Sequence, residues 1–165
     1  RWWWRIWRRH LKARRRGSAG RDRTGLVGMS LSFIEVSKGA LHESWQFVCD
    51  GLTRIIDKTD DDWIPEDVYS EIRAGVSALF LIYRGDERIG FIAMQAWPAY
   101  HDGPRLFVRA LWVRPGSLRE HQDEIQGWLA DCARKIGAKA VRMASPRRWD
   151  AAGWTLKQHI FELPV

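Results

Sequence analysis

Two apolar runs joined by a short polar turn constrain the fold of this chain more than any other feature. The stretch ALFLIYRGDERIGFIAMQAW covers residues 78–97, and both of its apolar parts are rich in β-branched and aromatic residues. They are separated by Arg84-Gly85-Asp86-Glu87-Arg88. A Gly-Asp-Glu sequence between two β-rich runs is typical of a β-hairpin. We therefore expect an antiparallel pair of strands in the middle of the chain.

Helical and strand-like patterns alternate on both sides of this hairpin. Before it we predict a strand at 31–36, a helix capped by Ser37 with apolar residues from Leu41 to Ile56, and a second helix that begins at Pro65 and ends at Gly75. After it we predict a strand at 106–113, a helix at 117–136 ended by Gly137, a strand at 140–143 and a final strand at 155–163. The order β-α-α-β-β-β-α-β-β predicts a mixed α/β sheet with helices on both faces, because a β-α-β unit follows the hairpin.

The basic charge of the chain is concentrated in its first 28 residues. The whole chain has 27 Lys and Arg against 20 Asp and Glu, a net charge of +7. Residues 1–28 contain nine Arg and one Lys against Asp22 alone, a net of +9, which leaves −2 for residues 29–165. We therefore predict a basic, Trp/Arg-rich arm with a Gly-rich linker at 1–28 and a mildly acidic domain at 29–165.

Composition excludes several classes of protein. A hydrophobic share of 45% with 28% charged residues is ordinary for a globular chain. No apolar run approaches the roughly 18–20 residues of a membrane span, and the arm lacks the apolar core of a secretory signal, so we expect neither. Cys49 and Cys132 form no CxxC pair, and the histidines show no metal-ligand spacing, so we predict no disulfide framework and no metal site.

The order of elements and several short motifs resemble the GCN5-related N-acetyltransferase (GNAT) superfamily across residues 31–163. The hairpin FLIYRGDERIGFIAMQ is similar to the family's second and third strands. Leu-Trp-Val-Arg-Pro at 111–115 resembles the end of its fourth strand, and Ala-Arg-Lys-Ile-Gly-Ala-Lys at 133–139 resembles the exit from its third helix. The resemblance implies a GNAT-like fold.

The family binds acetyl-CoA with an Arg/Gln-x-x-Gly-x-Gly/Ala loop after the fourth strand, whose backbone N–H groups hold the pyrophosphate. The resemblance implies that, if acetyl-CoA binds this chain, the contacts come from Val113, Arg114, Ser117, Leu118 and Arg119. The corresponding stretch 116–124 has a single glycine and three acids, at 120, 123 and 124. Acids at a helix N-terminus compete with a bound phosphate. We therefore expect no cofactor, with acetyl-CoA as the alternative.

The chain also departs from the family in its proton donor. Many members use a tyrosine beyond the fifth strand to protonate the CoA thiolate, whereas the three tyrosines here are Tyr69, Tyr83 and Tyr100. We interpret Ser145, in the corresponding region, as a turn cap, and His101 and Asp102 as loop residues. Three residues could serve as a general base but are interpreted instead as ordinary first-turn residues of a helix: Glu120, His121 and Glu124. We assign no catalytic residue, which favours a non-enzymatic interaction protein over a divergent acetyl-CoA-dependent N-acetyltransferase.

The arm RWWWRIWRRHLKARRR carries four of the eleven tryptophans within its first seven residues. A segment rich in tryptophan and arginine can bind pockets on a protein partner, the unpaired bases and phosphates of a nucleic acid, or an anionic membrane surface. Our first choice is a protein partner, within an oligomer or a larger complex. The residues assigned to partner binding are Trp2, Trp3, Trp4, Arg5, Trp7, Arg8, Arg9, Arg14, Arg15 and Arg16.

The C-terminal stretch SPRRWDAAGWTLKQHIFELPV at 145–165 resembles the tails of bacteriophage virion-associated GNAT-like proteins. Together with the arm and the altered loop, this resemblance implies a structural protein of a virion that is anchored to its partner by the arm. Its expected location is the virion or the cytoplasm.

Overall fold

The computed structural model describes residues 30–59, 62–98, 101, 103–145 and 153–155. Within them the chain forms five strands and three helices. In chain order they are β1 (Leu31–Glu35), α1 (Leu41–Thr59), α2 (Pro65–Ala74), β2 (Ala78–Arg84), β3 (Glu87–Trp97), β4 (Arg105–Val113), α3 (Ser117–Lys135) and β5 (Val141–Met143). The predicted mixed α/β fold is confirmed. The predicted arm and all but the first residue of the predicted final strand lie outside the described residues.

The five strands form one mixed sheet in the order β1-β2-β3-β4-β5. Neighbouring strands are antiparallel from β1 to β4, and β5 runs parallel to β4. The predicted hairpin is the β2–β3 pair, in which Ala78 lies opposite Met94 and Arg84 lies opposite Glu87. The parallel β4–β5 pair is connected by α3, as predicted from the β-α-β pattern.

Local sequence signals fix the ends of α2 and the approach to α1. Pro65 is the first residue of α2, and the Ile64 backbone N–H before it donates to Asp67 Oδ2 at 3.0 Å. Gly75 ends α2 with φ of 77°. The Ser37 Oγ accepts from the Ala40 N–H at 3.2 Å, the contact expected of a capping serine, in the turn that leads into α1. The helix itself begins only at Leu41.

The sheet separates two hydrophobic cores, which we name by the helices that cover them. In β2, Phe80 and Ile82 belong to the α3-side core, whereas Leu79 and Leu81 belong to the α1/α2-side core, and all four are buried. A strand that is apolar on both faces needs cover on both faces. On the α3 side, the Trp128 ring stacks on Phe33 and meets Phe80 edge to face.

Candidate functional site

The loop that follows β4 brings together the five residues predicted to contact a cofactor. Val113 is the last residue of β4, and Ser117 is the first residue of α3. Gly116 precedes the helix with φ of 90°, in the left-handed region that favours glycine, and no side chain caps the helix. The Ser117 N–H donates to Arg114 O at 3.1 Å, and the N–H groups that follow it in the first turn lie at the positive end of the helix dipole. Chemically, this end of α3 suits an anion.

β4 extends beyond its pairing with β5. The parallel ladder joins only Leu106–Val108 to Val141–Met143, whereas β4 continues to Val113. The pairing of β4 with β3, on the other side of β4, contains a bulge. Ala93 lies opposite Ala110 and Met94 lies opposite Val108, so Arg109 is the extra residue. In the described part of the chain, residues 109–113 therefore have no strand partner on the β5 side. This unpaired edge leads directly to the loop before α3.

Two of the three acids near the loop make contacts on the β1–β2 side of α3. The Glu124 carboxylate accepts the Leu31 backbone N–H at 2.7 Å and the Ser30 hydroxyl at 2.9 Å. Glu120 lies 3.8 Å from the Arg84 guanidinium. These contacts hold both carboxylates on the β1–β2 flank of α3, and Glu124, whose two donors are neutral, keeps its full negative charge.

The arginine of the loop is paired with the β2–β3 hairpin. Arg114 forms an ion pair with Glu87, whose second oxygen lies 3.1 Å from Arg84. All three side chains are more than a third exposed, so water and salt screen the pairs, and each contributes about 0–1 kcal/mol. The Arg114 guanidinium can therefore exchange Glu87 for a phosphate at small cost. The Arg114 backbone N–H, which donates to Ile89 O at 2.8 Å, fixes where the loop leaves the sheet.

Two buried polar atoms on α3 have no hydrogen-bond partner within the described structure, namely His121 Nε2 and Gln126 Nε2. The His121 side chain is 8% exposed, and its Nε2 lies 3.8 Å from Glu120 Oε2, which is too long for a hydrogen bond. An unsatisfied buried donor costs about 1–3 kcal/mol, so such atoms commonly mark a missing partner.

The remaining candidate residues lie apart from this loop. His101 is exposed in the connection between β3 and β4, and Asp102 lies outside the described residues. Ser145 follows β5 and already takes part in other contacts. The ten partner-binding residues of the arm lie outside the described residues. Among the residues that the structure describes, no group of three or more His, Cys, Asp or Glu side chains is arranged to hold a metal ion.

Both cysteines of the chain are free thiols. Burial raises the pKa of the Cys132 thiol to about 12, so it stays protonated at neutral pH and is a poor nucleophile. Cys49 is half-buried on α1 and is also a free thiol. No helix in the described ranges is both long enough and apolar enough to span a bilayer.

Sequence reasoning missed a polar cluster at the bulge of β4. Arg109 Nε lies 3.4 Å from Glu71 Oε1, and its guanidinium carbon lies 4.6 Å from the Trp63 ring centroid. The Ser77 hydroxyl donates to the other Glu71 oxygen at 2.8 Å. The cluster joins α2 to β4. The only hint in the sequence is an arginine between Val108 and Ala110 in an otherwise apolar strand.

Comparison by sequence finds nothing similar: no protein-family model matches the chain, and no curated protein does. Solved structures are similar in fold. A possible acetyltransferase from Clostridium difficile 630 matches with TM-score 0.57 at 10% identity, covering 82% of this chain and 98% of that one. A predicted acetyltransferase from Clostridium acetobutylicum, solved with acetyl-CoA, matches with TM-score 0.60 at 10% identity, covering 81% and 96%.

An aminoglycoside acetyltransferase from an uncultured soil metagenomic sample matches with TM-score 0.60 at 12% identity, covering 83% of this chain and 99% of that one. The chain therefore spans nearly the whole length of each of these proteins. At such identities the likeness concerns the fold alone. The chain has the GNAT-type acetyltransferase fold, as its strand order and motifs predicted.

Proposed function

We propose that the domain binds acetyl-CoA and transfers its acetyl group to an amine. The observation that carries this proposal is the unpaired edge of β4, which leads to an uncapped helix N-terminus. In this proposal the pyrophosphate is held by the N–H groups of the first turn of α3, with Val113, Arg114, Ser117, Leu118 and Arg119 as its contacts. Acetyl-CoA supplies the activated thioester. The fold of a neighbour solved with acetyl-CoA supports the same reading.

The acidic residues of α3 do not exclude phosphate binding at the loop. Glu124 is occupied by the start of β1, and Glu120 lies toward Arg84. Arg114 is bound to Glu87 only through an exposed pair that a phosphate can replace. We assign no catalytic acid or base, so the proposed role of the chain's residues is to bind and orient the thioester and the amine.

A charge placed at the first residue of α3 tests the phosphate site. Ser117→Asp adds a carboxylate at the helix N-terminus, which satisfies the free N–H groups and repels the pyrophosphate. We expect the affinity for acetyl-CoA, measured by calorimetry, to fall about tenfold, while the melting temperature stays the same or rises slightly. Ser117→Asn, which has the same shape without the charge, should keep most of the affinity. A wild-type chain that gives no heat with millimolar acetyl-CoA contradicts the proposal.

A second candidate function is a non-enzymatic structural protein, which the arm anchors in a virion. Two observations favour it. The arm combines tryptophan and arginine at a density suited to binding, and the guanidinium groups of Arg84 and Arg114 near the loop share the single carboxylate of Glu87. In this proposal the GNAT-like domain is a rigid part of an assembly, and the loop has no ligand to bind.

The full-length chain with the four arm tryptophans (2, 3, 4 and 7) changed to alanine tests this candidate. If the arm is the anchor, the variant no longer co-purifies with virus particles, whereas Trp97→Ala, at an exposed tryptophan of the domain, still does. Quantitative mass spectrometry of purified particles measures both. Equal incorporation of the two variants argues against the arm as an anchor. Loss that depends on salt together with retention of added DNA indicates a nucleic-acid partner instead.

A further inference from the structure

Arg109 is held in place on the α1/α2 side of the sheet. The bulge of β4 puts it on the same side as its neighbour Ala110, which belongs to the α1/α2-side core. Its Nε donates to Glu71 Oε1 at 3.4 Å, and the Trp63 ring centroid lies 4.6 Å from its guanidinium carbon. Glu71 is itself fixed, because its other oxygen accepts the hydroxyl of the buried Ser77 at 2.8 Å. These contacts set the orientation of the guanidinium.

The outer end of this guanidinium is open. An arginine side chain has five N–H donors, and Glu71 accepts only the one on Nε. The four N–H groups on the two η nitrogens of Arg109 have no acceptor within the described ranges. The side chain is 20% exposed, and neither η nitrogen is sealed from solvent. This end of Arg109 is therefore both preorganised and accessible to a ligand.

Two aromatic rings lie beside Arg109 on the same side of the sheet. Leu106 and Val108 belong to the α3-side core, so Phe107 between them faces the α1/α2 side. Trp97 meets Phe107 edge to face, with ring centroids 4.9 Å apart, and is 50% exposed. Neither ring is part of a hydrophobic core of the described residues. Phe107 and Arg109 are about 7 Å apart along β4, so the rings and the guanidinium form one surface.

We propose that this surface of Trp97, Phe107 and Arg109, which we name the bulge surface, binds a small monocarboxylate with an apolar body. The two η nitrogens present parallel N–H groups, which match the two oxygens of a carboxylate. The rings of Trp97 and Phe107 can cover the apolar body. Glu71 disfavours a second negative charge on the ligand, because its carboxylate lies beside the same guanidinium. The inference does not depend on the binding of acetyl-CoA.

The experiment uses benzoate as the probe and benzamide, which has nearly the same shape without the charge, as its control. Both are titrated into the full-length chain without acetyl-CoA, and NMR follows the indole N–H signals of Trp63 and Trp97. Replacing each tryptophan by phenylalanine assigns its signal. We expect benzoate to shift both signals to saturation and benzamide to bind at least about tenfold more weakly. Phenyl phosphate, which carries nearly two charges at neutral pH, should also bind more weakly than benzoate.

Three variants of the full-length chain separate ligand binding from a structural role. Arg109→Lys keeps the charge but loses the two parallel donors, so benzoate should bind about tenfold more weakly. Glu71→Gln removes the competing carboxylate, so benzoate should bind about threefold more tightly. Arg88→Met is the matched control, because Arg88 also lies over aromatic rings, those of Phe47 and Tyr83. This variant should bind benzoate as wild type does.

Four results would overturn the inference. Benzoate that shifts neither indole signal to saturation, or that binds no better than benzamide, excludes a carboxylate site, and this comparison needs no variant that has to fold. Equal binding of benzoate by wild type and Arg109→Lys excludes the guanidinium as the contact. Weaker binding by Glu71→Gln shows that the ion pair only supports the fold. Tighter binding of phenyl phosphate than of benzoate excludes a monocarboxylate as the ligand class. None of these results bears on the proposed function, since no titration contains acetyl-CoA.

Discussion

Replacing Gly90 by alanine should lower the free energy of unfolding by about 3 kcal/mol. A Cβ at this position would lie 2.4 Å from the backbone oxygen of Trp112 and 3.0 Å from Val113 Cα. Both are backbone atoms of the neighbouring strand, so they cannot rotate away as a flexible side chain can. The sheet must instead separate locally where β3 pairs with the end of β4. Urea unfolding followed by circular dichroism measures the loss.

Gly127→Ala is the matched control, because the same methyl group meets open space on α3. In a helix interior, alanine is favoured over glycine by about 0.5–1 kcal/mol, so this variant should be slightly stabilised. Opposite signs for the two variants support the close approach of β3 to β4. An unchanged unfolding midpoint for Gly90→Ala contradicts it. Gly90 also lies beside Ile89, whose carbonyl holds Arg114, so the variant is expected to disturb the candidate site as well.

Short-range signals made most of the fold predictable. The Gly-Asp turn, Pro65 at the start of α2 and Gly75 at its end each act within a few residues of the backbone that they shape. The apolar run of β2 required cover on both faces, and the two cores meet that requirement. Ser37 makes the expected capping contact with the Ala40 N–H, but the sequence did not show that a separate turn stands between this contact and the start of α1 at Leu41.

The candidate site depended on contacts between distant residues, and these were not predictable. Glu124 and Leu31 are 93 positions apart, so nothing local to α3 shows that this carboxylate binds the start of β1. In the sequence, three acids near a loop indicated repulsion of phosphate. In the fold, two of them have partners on the far flank of the helix.

The α1/α2-side core should show the largest loss on truncation of a single side chain. Phe91 is fully buried, meets Phe47 edge to face and packs against Trp112. Phe91→Ala should therefore lower the free energy of unfolding by about 3–5 kcal/mol. Phe107→Ala is the matched control on the same sheet, because Phe107 is only half-buried and the ring that it contacts, Trp97, is 50% exposed. It should cost about 1 kcal/mol, as measured by the same urea titration.

A second substitution tests whether the loss at Phe91 comes from the packing of α1 on the sheet. A Cβ at Gly51 would lie 2.4 Å from Phe91 Cε1, so Gly51→Ala is strained in the wild-type chain. When Phe91 is already alanine, that collision disappears, while the contacts of 2.9 and 3.1 Å with the Trp112 ring remain. Gly51→Ala should therefore cost at least about 1 kcal/mol less in the Phe91→Ala background than in wild type. If the effects of Gly51→Ala and Phe91→Ala on the free energy of unfolding are additive, α1 does not contact the Phe91 side chain at Gly51. The α1/α2-side core would then be held by other contacts.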